Sequence, residues 1–132
     1  MEQTSGLPVE VTADNLDVNQ NDGTAVFTGN VVIGQGSMRL SAPNVLVIYK
    51  QDQSGIRELK ASGGVTLVSG EDAAEASLAD YNLETGQIAL RGNVLLLQGA
   101  NAISAERMNV DTRSGTARMS GRVKTVLQQG NN

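Results

Sequence analysis

The sequence predicts an all-β domain built from repeated strand units, and three observations predict it. A unit of glycine, a variable residue and valine recurs at Gly29-Asn30-Val31, Gly63-Gly64-Val65, Gly92-Asn93-Val94 and Gly121-Arg122-Val123, its leading glycines 34, 29 and 29 residues apart. Around each unit apolar and polar residues alternate with period two, the signature of a strand with one buried face. The third observation is compositional: 132 residues hold 15 Gly and 2 Pro, and no segment has a convincing amphipathic-helix period. A recurrence this regular means copies of one supersecondary unit, each covering its neighbour's apolar face.

Residues 1–8 read as a disordered extension, residues 9–127 as the domain and residues 128–132 as a tail. Val9-Glu10-Val11 is the first strand, with Pro8 at its start, where a missing N–H is tolerated. Leu16-Asp17-Val18-Asn19 alternates and leads through a turn at Gly23 into a long strand centred on Gly29. A turn at Gly55 precedes the strand centred on Gly63. Ala73 to Ala79 has the best helix propensity in the chain and is expected as a loop or a short turn of helix. Tyr81-Asn82-Leu83-Glu84 alternates, and a turn at Gly86 leads to the strand centred on Gly92. Met108-Asn109-Val110-Asp111 and a turn at Gly115 then precede the strand centred on Gly121. The first and third copies agree further, since Gln35-Gly36 and Ser41-Ala42 recur 63 residues later as Gln98-Gly99 and Ser104-Ala105.

In an extended strand, positions two and four residues either side of the leading glycine share its face. They are Ala25, Phe27, Val31 and Ile33, then Leu59, Ala61, Val65 and Leu67, then Ile88, Leu90, Val94 and Leu96, then Ala117, Met119, Val123 and Thr125. Only Thr125 is polar. The intervening positions are mostly polar, so one face is apolar and the other wet. Val11, Leu16, Val18, Tyr81, Leu83, Met108 and Val110 extend the apolar set. Glycine within a strand costs roughly 0.5–1 kcal/mol against Ala, so four of them predict a bend or bulge that curves each long strand. Glycine-bearing turns favour antiparallel hairpins.

The chain has no His and no Cys, which removes Ser-His-Asp and Cys-His nucleophilic sites, imidazole or thiolate metal sites and disulfides. Glu71, Asp72, Glu75 and Asp80 are expected in a solvated loop with no basic partner nearby, and the glycine-rich segments lack a P-loop lysine. Neither catalysis nor a cofactor is expected. A net charge of −4 argues against nucleic acid. From Ala100 onward there are five basic residues (Arg107, Arg113, Arg118, Arg122, Lys124) and two acidic, while the rest holds five basic and twelve acidic. That asymmetry reads as a solvated sheet face ahead of a dedicated anion site, and it also suits head-to-tail contact between copies. No apolar run reaches the roughly 18–20 residues needed to cross a bilayer. Met1-Glu2-Gln3-Thr4-Ser5-Gly6 is no signal peptide, which fits a cytoplasmic start or a mature exported chain. Phe27, Tyr49 and Tyr81 are the only aromatics. By composition the aliphatic face reads first as a closed core, and because an alkyl-accepting groove needs the same residues, periodicity does not decide between them.

Val9-Glu10-Val11, Leu16-Asp17-Val18, Phe27-Thr28-Gly29-Asn30-Val31, Gln35-Gly36, Leu40-Ser41-Ala42 and Gly92-Asn93-Val94 with Gln98 resemble the LptA (OstA-like) family of lipopolysaccharide-transport proteins. The likeness runs from about Val9 to Leu127. It implies a V-shaped, partly open antiparallel β-jellyroll with an apolar interior groove, no covalent chemistry, no cofactor and no metal. It further implies a periplasmic location after removal of a signal peptide. The implied partners are lipopolysaccharide, further copies head to tail, and OstA-like proteins anchored in the inner membrane and seated in the outer membrane. On this resemblance the lipid A acyl chains would meet Val11, Leu16, Val18, Phe27, Val31, Ile33, Leu67, Tyr81, Leu83, Leu90, Val94, Leu96, Met108, Val110 and Met119. The edges that join copies would be Val9, Glu10 and Val11 at one end and Val123, Lys124, Thr125, Val126 and Leu127 at the other. The competing classes are a structural or adhesive β-module with a closed aliphatic core, and a carbohydrate-active β-helix enzyme, for which the acid, base and metal ligands are missing.

Overall fold

The structure, a computed structural model, describes residues 3–128. Ten strands follow in order: β1 (Val9–Thr12), β2 (Asn15–Asn19), β3 (Thr24–Gln35), β4 (Met38–Tyr49), β5 (Ile56–Ser69), β6 (Asp72–Asn82), β7 (Gln87–Gln98), β8 (Asn101–Asp111), β9 (Thr116–Ser120) and β10 (Lys124–Val126). No helix forms among the described residues. One antiparallel sheet holds all ten, ordered β1-β3-β4-β5-β6-β7-β8-β10, with β2 also on β3 and β9 also on β8.

The long strands are interrupted along a common line. On β3 the register slips between Thr28 and Val31, where Gly29 and Asn30 both have positive φ (82° and 49°) opposite the single residue Pro43 of β4. Gly63-Gly64 of β5 lie likewise between Pro43 and Ser77, and Gly92-Asn93 of β7 between Ser77 and Glu106. At the two ends, the N–H groups of Asp14 and Glu106 donate to the carbonyls of Gly29 and Gly121, each at 2.8 Å. Pairs of left-handed residues thus alternate with single residues across the whole sheet, a continuous line of bulges that bends every long strand, β3 to β8. The expected function of the strand glycines is borne out, and the reason glycine is needed is steric. A Cβ on Gly63 would lie 2.6 Å from Pro43 Cγ, on a backbone at φ +89° that L side chains rarely adopt.

The line divides the sheet into two leaves. Leaf A comprises β2, residues 24–28, 44–49, 56–62, 78–82, 87–91 and 107–111, and β9; leaf B comprises β1, the other halves and β10. Tyr81 on leaf A is level, through Leu59 and Val47, with Ala25 of β3, three strands across and ten residues along from Gln35 on leaf B, roughly 35 Å on a flat sheet. The Tyr81 hydroxyl nevertheless donates to Gln35 Oε1 at 2.6 Å, which requires the leaves to be folded face to face. Their inner residues form a single apolar core. On β3, β5 and β7 the inward phase runs unbroken through the bulge. On β4 and β6 it slips by one residue at Pro43 and Ser77, so Leu40 and Ala42 are followed inward by Val45 and Val47, and Ala74 and Ala76 by Ala79 and Tyr81.

Two expectations are corrected here. Ala73 to Ala79 is neither loop nor helix but the middle of β6, paired to β5 and β7; its inward alanines fill the core, and that burial outweighs helix propensity. The acidic stretch is therefore largely strand, and Asp80 does have basic partners, Arg91 at 2.8 Å and Lys60 at 3.9 Å. The amino-terminal extension is also defined from Gln3 onward: Thr4 is buried, and its N–H and that of Ser5 donate to the Thr112 carbonyl at 3.0 and 3.3 Å. Met1, Glu2 and residues 129–132 of the expected tail lie outside the described residues.

Candidate functional site

The space between the leaves is the candidate site, and its character changes along the sheet. Of the residues expected to line it, Val31, Ile33, Leu67, Tyr81, Leu90, Val94, Leu96, Met108 and Val110 are buried, at most 2% exposed. Val11, Phe27, Leu83 and Met119 are half-buried, packed against the core from its margins. Leu16 and Val18 are 51% and 59% exposed. Across its middle the interior is thus a packed aliphatic core; at its two ends it emerges.

At the amino-terminal end, Leu16 pairs with Phe27 and Val18 with Ala25, so both point inward on the outermost strand of leaf A. On leaf B, Val9 and Val11 pair with Gln35 and Ile33 and also face inward. At the carboxy-terminal end Met119 pairs with Met108 and Ala117 with Val110, while Thr125 pairs with Ile103. Val123 and Leu127 continue that phase and are 50% and 65% exposed. Lys124 and Val126, opposite Ser104 and Ala102, point outward.

The rim between the leaves, far from the line of bulges, is polar where the interior is not. Gln35, Ser69, Thr112 and Thr4 are buried there. Thr112 donates through both its N–H and its hydroxyl to the Gly86 carbonyl, at 2.8 and 2.7 Å. Among the described residues no carboxylate or amine side chain is buried. Among the described residues no three His, Cys, Asp or Glu side chains gather as metal ligands.

Charge is sorted between the two ends. The outer surface near β1 and β2 carries Glu10, Asp14, Asp17 and Asp22, and that of β8 to β10 carries Arg107, Arg118, Arg122 and Lys124, all exposed. Sequence reasoning missed the inward residues of β4 and β6, Met38, Leu40, Val45, Val47, Ala74, Ala76 and Ala79. The signal was there as two alternating runs out of phase by one residue at Pro43 and at Ser77.

Comparison with known proteins matches residues 10–116 to a family described as LptA/(LptD N-terminal domain) LPS transport protein. An uncharacterized protein of Rhizobium meliloti is 30% identical over 96% of this chain and 74% of its own length. The lipopolysaccharide export system protein LptA of Haemophilus influenzae is 25% identical over 91% of this chain and 76% of its own. In fold, the crystal structure of LptH, described as the LptA-homologous periplasmic component of the lipopolysaccharide transport device of Pseudomonas aeruginosa, superposes with a TM-score of 0.84. It covers 96% of this chain and 99% of that one at 19% identity.

Proposed function

This chain belongs to the LptA/LptD N-terminal-domain family of LPS transport proteins, and from that premise we propose how it handles its cargo. It carries lipopolysaccharide through the periplasm by lodging lipid A acyl chains against its aliphatic interior, in a row of copies joined head to tail. The row meets inner- and outer-membrane proteins of the same fold at its ends. The observation that carries this reading is an apolar interior running the length of the sheet and emerging uncovered at both ends, at Leu16 and Val18 and at Val123 and Leu127. Each methylene removed from water is worth roughly 0.8 kcal/mol, so a multiply acylated lipid needs such a path. Similar residues repeated along the path offer near-equal positions without a trap.

The line of bulges supports a joint between copies and favours one register for it. It begins with a single residue, Asp14, and ends with a left-handed pair, Gly121-Arg122. A second copy therefore continues the alternation if its Asp14 lies beside that pair. Extending the pairing rule seen at Gly92-Asn93 and Glu106 sets Met119 opposite the next copy's Leu16, Ala117 opposite its Val18 and Thr125 opposite its Val11. The exposed inward residues of both ends then cover one another, and Arg118 faces Asp17 on the outside. The contact is heterologous and propagates.

Photo-crosslinkers at Leu16 and Met119 are expected to capture lipopolysaccharide, and at Asp17 and Arg118 not to. Equal capture from both faces would defeat the reading. The packed centre favours a second reading, a structural β-module with a closed core, which predicts no capture at any position. For the joint, Arg118→Glu and Asp17→Lys should each weaken self-association about tenfold, since like charges then face across strands. An equimolar mixture of the two variants restores complementary contacts at every joint and should recover the assembly in light scattering. No recovery would sink the register.

A further inference from the structure

We propose that Gln3–Leu7 is a strap that holds the two leaves shut, and that it must swing aside before a ligand enters between them; this rests on reading the interior as the lipid site. The strap touches both leaves. On leaf A, the N–H groups of Thr4 and Ser5 donate to the carbonyl of Thr112, and the Gln3 side-chain amide donates to that of Ser114 at 3.3 Å. On leaf B, the Leu7 carbonyl accepts from Gln35 Nε2 at 2.9 Å, and Leu7 Cδ1 fills the space where Gly36 would carry a Cβ, 2.7 Å away. Gln35 is itself the group that accepts from the Tyr81 hydroxyl across the leaves. One side chain therefore links the strap, leaf B and leaf A.

The strap is built to leave. It forms no strand pairing, Leu7 is 46% exposed, and Gly6 at φ +87° has open space beside it. The Thr4 hydroxyl is buried with no hydrogen-bond partner, a standing penalty against the closed arrangement. Segments with few backbone bonds and little buried surface open well before the sheet that carries them. Beside it lies an open recess of about 190 Å³, lined by Gly6 and Leu7 of the strap, by Gln35 and Tyr81, and by the turn at Lys50 and Gly55. When the strap leaves, Gln35 and the Thr112 carbonyl are released at a polar rim above an aliphatic interior. That arrangement suits a ligand with a polar head and apolar tails.

The test measures stopped-flow uptake of N-phenyl-1-naphthylamine, a neutral apolar dye, and of fluorescently tagged rough lipopolysaccharide by the full chain and three variants. Thr4→Val keeps the shape and removes the unpaired hydroxyl, so uptake of both probes should slow about tenfold. Leu7→Asp and Tyr81→Phe loosen the strap and its link, and should speed uptake several-fold. Amide exchange at Leu40 and Leu67 should follow the same order. Unchanged dye uptake and exchange in all variants would overturn the strap, even if lipopolysaccharide binds. Dye uptake and exchange that shift in the stated order while lipopolysaccharide is never taken up would uphold the strap and defeat the lipid reading.

Discussion

Leu16, Val45, Ala79 and Met108 occupy the same place in the repeat, two residues past the single residue of the bulge line, yet Val45 and Met108 are wholly buried while Leu16 is 51% exposed. One step further, Val47 and Val110 are buried and Val18 is 59% exposed. The carboxy-terminal edge repeats the contrast, with Val123 at 50% where Val31, Val65 and Val94 are at most 2%. The residue type is the same at the centre and at the edge; what differs is whether a strand lies on the far side. Burial is a property of the neighbours, and in the proposed row of copies the edge positions would gain them.

The largest expected effect tests that contrast directly. Met108→Ala should cost about 2–5 kcal/mol in urea unfolding, the range for emptying a buried aliphatic site. Leu16→Ala should change the monomer by less than about 0.5 kcal/mol while weakening self-association. A large monomer loss for Leu16→Ala would mean the edge is already covered by something within the chain.

The next effect distinguishes two adjacent glycines at the centre of the line of bulges. Gly63 and Gly64 both have positive φ, at 89° and 97°, but a Cβ on Gly63 collides with Pro43 whereas one on Gly64 meets nothing within 4 Å. Gly63→Ala is expected to cost about 2–3 kcal/mol and Gly64→Ala about 1. Equal losses would mean backbone conformation alone demands glycine there, and that Pro43 moves aside.

How much of this was legible follows from where each signal lives. The inward sets flanking Gly29, Gly63 and Gly92 were read correctly because a two-residue bulge leaves period two intact. On β4 and β6 the single residue at the bend shifts the phase, so counting by twos from either side fails at Pro43 and Ser77. β6 was hidden twice over, since its core residues Ala74, Ala76 and Ala79 are strong helix formers with little hydrophobic contrast. The strap was invisible for another reason. Gln3, Thr4, Ser5 and Gly6 have the composition of a flexible terminus, and only the rim formed by Gln35 and Thr112, far off in sequence, fixes them. The alternation of single residues with left-handed pairs, and so the register of a joint, exists only once the strands are paired.

A smaller effect is expected on the outer face at the sheet centre. Asp80 meets Arg91 at 2.8 Å and Lys60 at 3.9 Å, with all three side chains about a third to a half exposed. Pairs so placed are worth about 0–1 kcal/mol. Asp80→Asn should therefore lower stability by under about 1 kcal/mol, with the difference shrinking in high salt. At the edges, by contrast, Asp17 and Arg118 should matter to assembly and hardly at all to the monomer.

The smallest effect is one of pH and compares a turn at the sheet centre with one near its edge. In the turn after β8, hydrogen bonds from the Arg113 and Ser114 N–H groups hold the Asp111 carboxyl below its ordinary value of 3.8. In the turn after β4, the Ser54 hydroxyl and N–H do the same for Asp52. A carboxylate with a lowered folded pKa contributes stability that is fully present above the unfolded value, and that contribution is lost as pH falls through the folded one. Both contributions should thus be constant from neutrality down to about pH 5 and fade only below pH 4. The consequences differ because Thr112, the strap's anchor, follows Asp111 directly, whereas nothing in the strap hydrogen-bonds to the Asp52 turn. Acid should therefore lower the protection factors of the Thr4 and Ser5 amides, taken against the intrinsic exchange rate at each pH, and Asp111→Asn should remove part of that pH dependence while Asp52→Asn leaves it unchanged. Equal effects of the two substitutions would mean that acid loosens the strap through the fold as a whole.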